Sequence, residues 1–292
     1  MTSPTGFCER TARVSDLYIA IAITGFFVSA LIVYLLRSAF VGRVRHARTE
    51  ADGGSVFVNK TTMEMVYWII DPMISFIAAL GMTPNMVTLG SLIPAAGAGL
   101  AIGCGWFGLG ATLAVLAAFG DIIDGLLARK TGLSSDAGEL VDAAVDRYGE
   151  MFFFGGLVYY YRDHDQVLFI VLAAIIGSFM VSYTTAKAEA MGVPAPRGAM
   201  RRGERGAYLM TGAAFTPLAS ALFARSPSLA LREAPILLAL SIVAVVANIS
   251  VVQRLLAIAT LLREREAAQK SAAPPFDDET MATKPDIPVG MV

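Results

Sequence analysis

Four aspartates stand close together in an apolar part of the chain: Asp121, Asp124, Asp142 and Asp146. The first pair is spaced by three residues and the second by four, so on helices each pair shares one face. Four converging carboxylates cannot all stay ionised in a low-dielectric site without compensation. Divalent cations are the simplest compensation, and ligation by carboxylates alone favours Mg2+ or Mn2+ over Zn2+. Gly125 and Gly138 remove side chains where a ligand must approach the backbone. Ala128 keeps the face of Asp121 and Gly125 shallow, since these residues fall on one helical stripe. Arg129 can stabilise negative charge or orient the carboxylates through a salt bridge.

Together these residues spell Asp-x-x-Asp-Gly-x-x-Ala-Arg over 121–129, then Gly-x-x-x-Asp-x-x-x-Asp over 138–146. That pattern resembles the signature of the CDP-alcohol phosphotransferase family, with every fixed position filled. With its flanking apolar spans, the resemblance extends over about residues 60–260. It implies a binuclear Mg2+ (or Mn2+) site with Asp121, Asp124, Asp142 and Asp146 as ligands. It also implies that Asp146 is the general base for an acceptor hydroxyl, and that Gly125, Ala128, Arg129 and Gly138 belong to the CDP pocket. Thr83-Pro84-Asn85-Met86-Val87-Thr88 looks like the family's entry to its first core helix, with Asn85 and Thr88 as nucleotide contacts. The implied partners are CDP-diacylglycerol or another CDP-alcohol, a small alcohol acceptor, membrane lipid and a second copy in a homodimer. The implied reaction is phospholipid synthesis with release of CMP.

The acceptor is addressed by Lys187-Ala-Glu189-Ala-Met-Gly192 and Arg201-Arg202-Gly-Glu204-Arg205. A basic loop at the motif end suits a phosphate, because arginine forks match phosphate oxygens. Both runs resemble the inositol and inositol-phosphate branch, departing from it at Lys187, where arginine is the commoner residue. The expected acceptor contacts are therefore Lys187, Arg201, Arg202 and Arg205. A glycerol-phosphate branch needs the same anion pocket, and an aminoalcohol acceptor or donor stays open.

The elements that position these residues read as membrane helices. Of 292 residues, 55% are hydrophobic and only 16% charged, and mean hydropathy is positive. This composition points to an all-α polytopic membrane protein. A net charge of −1 suggests no nucleic-acid partner. Spanning takes about 20 mainly apolar residues. Seven segments qualify, near 17–36, 86–104, 107–128, 139–161, 166–186, 206–224 and 234–262. The segment 61–80 is broken by Glu64, Asp71 and Pro72, and reads as an interfacial helix with Tyr67 and Trp68 at headgroup level. The expectation is a six-helix transmembrane bundle preceded by an interfacial helix, plus one extra N-terminal transmembrane helix. The domains follow: 1–58 as N-terminal extension and linker, 59–265 as the membrane domain, and 266–292 as a disordered cytoplasmic tail. Tyr159, Tyr160 and Tyr161 read as an interfacial aromatic belt, and Phe152, Phe153 and Phe154 as facing lipid or neighbouring helices. Cys8 and Cys104 lack any metal-ligand spacing, and a disulfide between them is a minor possibility.

Lysine and arginine set the orientation. Arg37, Arg43, Arg45 and Arg48, then Arg129 and Lys130, then Lys187 to Arg205, then Arg263 and Arg265 fall on one side of a seven-span threading. That side is expected to be cytoplasmic, with the aspartate motif on it. Other classes compete. Intramembrane carboxylates also mark ion pathways, but here they cluster at one end beside glycines and arginine. A non-catalytic lipid-binding homologue is a further alternative, and an intact motif argues against it. Salt bridges of Asp142 with Arg147, or Asp146 with Arg129, are the plainest structural reading.

Overall fold

The computed structural model describes residues 4–41, 60–196 and 198–272. All its regular structure there is helical. The helices are α1 (Pro4–Val41), α2 (Lys60–Ala79), α3 (Pro84–Gly103), α4 (Phe107–Thr131), α5 (Asp136–Tyr160), α6 (Asp165–Ala190), α7 (Arg202–Leu222), the short α8 (Leu229–Arg232) and α9 (Ala234–Ala272). The linker and most of the tail lie outside the described residues, as do the side chains of Cys8 and Tyr67. Cys104 is a free, exposed thiol.

Every expected span is occupied by a helix. Five are long and apolar enough to cross a membrane: those containing Val14–Ser38, Pro84–Gly103, Phe107–Thr131, Asp165–Ala190 and Ala234–Ser271. α5 and α7 are long too, but their first halves carry the charged residues of the motif and the basic loop. α9 runs on to Ala272, past the expected start of the tail. The residues Arg263 to Lys270 are mostly strong helix formers, which continue a helix without needing burial.

The core is built where α3, α4, α5, α6, α7 and α9 converge. Ile102, Phe107, Phe154, Leu157, Val171, Leu209, Leu240 and Val243 are buried together there. Phe153 and Phe154 belong to this core, whereas Phe152 is partly exposed. The tyrosine belt is corrected in part. Tyr159 is exposed. Tyr160 and Tyr161 turn inward and donate to the buried Glu233 at 2.7 and 2.6 Å. A buried carboxylate needs donors more than the interface needs two more phenols.

α3 and α5 meet backbone to backbone. A Cβ on Gly99 would lie 2.2 Å from the Phe152 carbonyl oxygen, and one on Gly156 would lie 2.3 Å from that of Gly99. Small residues permit such a crossing between membrane helices. α1 packs on α4, α7 and α2, and α2 packs on α4.

Candidate functional site

Capping sets the motif's geometry. Gly132 ends α4 in the left-handed region at φ 69°, which a glycine enters without steric cost. Ser135 restarts the chain as N-cap of α5, its hydroxyl accepting from Gly138 N at 3.1 Å. This short turn carries both halves of the motif to the same end of the bundle. Asp121, Asp142 and Asp146 each offer an oxygen there, and these three lie within 4.8 Å of one another.

Asp124 is buried and stands apart from that trio. Its Oδ2 accepts from the Thr88 hydroxyl at 2.5 Å. Thr88 thus positions a motif carboxylate, a role the sequence reading did not give it. Asn85 is one turn away on α3, and a Cβ on Gly138 would sit 3.4 Å from its Oδ1. Arg129 lies over Gly125, its two terminal nitrogens 3.7 and 3.8 Å from a Cβ placed there. Neither salt bridge foreseen from sequence forms. Asp146 pairs with Arg202 instead, and Arg147 pairs with Glu150 at 3.4 Å.

The donor set suits a divalent cation. Three half-buried carboxylates share one small space, with Arg202 as the cation paired into it. The Asp142 Oδ1 atom is buried without a hydrogen-bond partner among the described residues. A buried oxygen left in that condition is costly unless something positive satisfies it.

A second, positive cluster lies beside the first. Arg205 is fully buried; its Nε donates to Glu150 at 3.2 Å, while both terminal nitrogens lack partners among the described residues. Arg254 of α9 reaches Thr185 at 2.5 Å with one terminal nitrogen, and its buried Nε has no such partner. The charges of Arg205 and Arg201 both oppose that of Arg254. Gly198 lets the loop lie close against Ser250 and Arg254: a Cβ there would lie 1.9 Å from the Ser250 hydroxyl and 2.7 Å from Arg254 Nε. Of the expected acceptor residues, Arg201, Arg202 and Arg205 bear on this region. The Arg201 backbone N–H caps α7 through Glu204 at 2.9 Å. Lys187 is exposed at the end of α6. Arg254 was missed, though an arginine inside an apolar span is itself a signal.

A family model for CDP-alcohol phosphatidyltransferases matches residues 81–262. The chain belongs to that family. It is similar to a phosphatidylinositol phosphate synthase of Streptomyces avermitilis, with 30% identity over 170 residues, covering 56% of this chain and 70% of the relative. The Mycobacterium tuberculosis phosphatidylinositol phosphate synthase is 33% identical over 149 residues, covering 50% of this chain and 69% of that one. Its crystal structure with manganese and citrate superposes at a TM-score of 0.57 with 27% identity, covering 65% of this chain and 88% of that one. Its form with CDP-DAG bound gives 0.56 and 26%, covering 64% and 92%. The matched family residues begin after α1 and α2.

Proposed function

We propose that this chain transfers the phosphatidyl group of CDP-diacylglycerol to a hydroxyl of a phosphorylated, inositol-type alcohol and releases CMP. The observation that carries the acceptor class is the pair of buried arginines, Arg205 and Arg254, with unpartnered N–H groups beside the carboxylate trio. Such donors suit a phosphate and have little use for an uncharged alcohol. The names of the relatives agree with that reading.

In this reading Asp121, Asp124, Asp142 and Asp146 hold a binuclear Mg2+ or Mn2+ site. Bound there, the cations neutralise the diphosphate and the charge on departing CMP. Gly125, Ala128, Arg129, Gly138 and Asn85 form the nucleotide pocket, and Thr88 fixes Asp124. The acceptor's phosphate docks on Arg205 and Arg254, which orients its hydroxyl toward the trio. The acceptor oxygen then bonds to the lipid-bearing phosphorus, the bond from that phosphorus to CMP breaks, and the hydroxyl proton passes to Asp146. Arg202 keeps the Asp146 carboxylate oriented before that transfer.

The same reading assigns residues 59–265 as a membrane domain of six spans and an interfacial helix, with residues 1–58 as an extension. It places the site at the cytoplasmic face, on the Lys and Arg distribution, and takes a homodimer from the family resemblance. The test is CMP release in detergent with CDP-diacylglycerol and Mg2+ across inositol, inositol phosphate, glycerol phosphate and serine. Release is expected with inositol phosphate, and Arg254→Gln is expected to raise that acceptor's KM about tenfold or more, the value of one charged hydrogen bond. Equal use of unphosphorylated inositol, or an unchanged KM in Arg254→Gln, overturns the acceptor assignment.

A further inference from the structure

α1 and α2 lie before the family-matched residues, yet two of their polar groups are buried against each other. Glu64 of α2 and Tyr34 of α1 are almost wholly shielded. The Tyr34 hydroxyl donates to Glu64 Oε2 at 2.9 Å. The Tyr34 and Trp68 rings pack at 6.0 Å, and the Arg37 guanidinium lies 5.8 Å above Trp68. Tyr34 and Arg37 share one face of α1, and Glu64 and Trp68 share one face of α2, by their helical spacing.

α2 in turn grips the motif helix. Ile70 and Ile74 pack with Ile123 and Leu127 of α4, the residues that flank Asp124. Lys130 donates to the Ser75 hydroxyl at 2.7 Å. α1 also holds the opposite end of α4 directly. Trp106, the N-cap residue of α4, makes no side-chain cap. Asp16 of α1 supplies it in trans, accepting from Gly108 N at 3.0 Å and Leu109 N at 2.8 Å. From Asp16 to Tyr34, α1 rises about 27 Å, close to the bilayer's apolar thickness. α1 is therefore fixed in register at both ends, once on α4 and once through α2.

We propose that α1 is a positioning helix of the catalytic site, with Tyr34 and Glu64 as the latch that holds α2 against the Ile123–Leu127 side of α4, behind the Asp121–Asp124 face. The proposal rests on the phosphatidyl-transfer reading above. That face holds the donor's diphosphate, whereas the acceptor's arginines come from α7 and α9. Loosening the latch should therefore weaken the donor side selectively.

The experiment uses the full chain in lipid nanodiscs. Tyr34→Phe removes only the hydroxyl, while Glu64→Gln keeps an oxygen that can accept from Tyr34. Hydrogen exchange is followed over α2 and over residues 119–131, alongside CMP release at varied CDP-diacylglycerol and inositol phosphate. Tyr34→Phe is expected to speed exchange in both segments and to raise the donor KM about 5–10-fold, the value of one buried hydrogen bond. Its kcat and acceptor KM should stay within about twofold, and Glu64→Gln should behave as the parent does. Unchanged exchange overturns the latch. Faster exchange in α2 alone, or with an unchanged donor KM, overturns the positioning role. Absence of CMP release from the parent protein sinks the transfer reading instead, and exchange over 119–131 then decides whether the latch reaches the motif helix.

Discussion

Asp146 faces two demands at once. It belongs to a trio of carboxylates that repel one another, and it pairs with Arg202 on the side toward the basic cluster. In the proposed reading a carboxylate so placed would sit between the cations and the acceptor, where a departing proton needs a base. Asp146→Asn keeps the size and removes the charge and the proton acceptance. CMP release should fall by at least about 100-fold, the usual value of a positioned base, and full metal-dependent release would rule that role out. The four aspartates were legible in the sequence because three- and four-residue spacing maps onto helix faces. Arg254 was not, because its partner Thr185 and the neighbouring Arg205 are remote in the chain. Tyr160 and Tyr161 misled for the same reason: nothing local pointed to Glu233 as the group that draws them inward.

At the scale of elements, the site depends on how closely α3 approaches α5. α3 brings Asn85 and Thr88 to the motif, and α5 brings Asp142 and Asp146. The approach is set by Gly99 and Gly156, each of which would drive a Cβ into the other helix's backbone. Gly156→Leu should cost about 1–3 kcal/mol through overpacking. Gly155→Ala, with open space around its Cβ position, should stay within about 0.5 kcal/mol. Thermal unfolding of the two variants in the same detergent checks this, and equal midpoints would show that the close crossing does not limit stability. Sequence reading located these helices because long apolar runs are local signals. It could not say which glycine faces another helix, since that depends on the crossing itself. It also stopped α1 and α9 short, because hydropathy marks the apolar stretch and not the polar turns that extend it.

For the whole molecule, the charged groups of the candidate site gather at one end. The carboxylate trio, Asp124, the buried arginines and the basic loop between α6 and α7 meet there, while Glu233 and Asp16 serve structural bonds elsewhere. This gathering has an energetic consequence. Asp121, Asp142 and Asp146 raise the energy of the folded state when nothing offsets their repulsion, whereas an unfolded chain separates them. A divalent ion that binds only the folded chain must therefore stabilise it, by about 2.7 kcal/mol at a concentration a hundred times its Kd. Stripping the protein with EDTA should lower its thermal midpoint by several degrees, and Mg2+ or Mn2+ should restore it. Na+ at the same ionic strength controls for simple screening. Asp121→Asn with Asp142→Asn should raise the midpoint of the stripped protein, since two mutually repelling charges are gone, and should also abolish the metal response. The two effects have opposite signs, so the same double variant separates a metal site from an acidic patch held apart by solvent. A parent protein whose midpoint ignores both EDTA and Mg2+ would leave the trio as a patch.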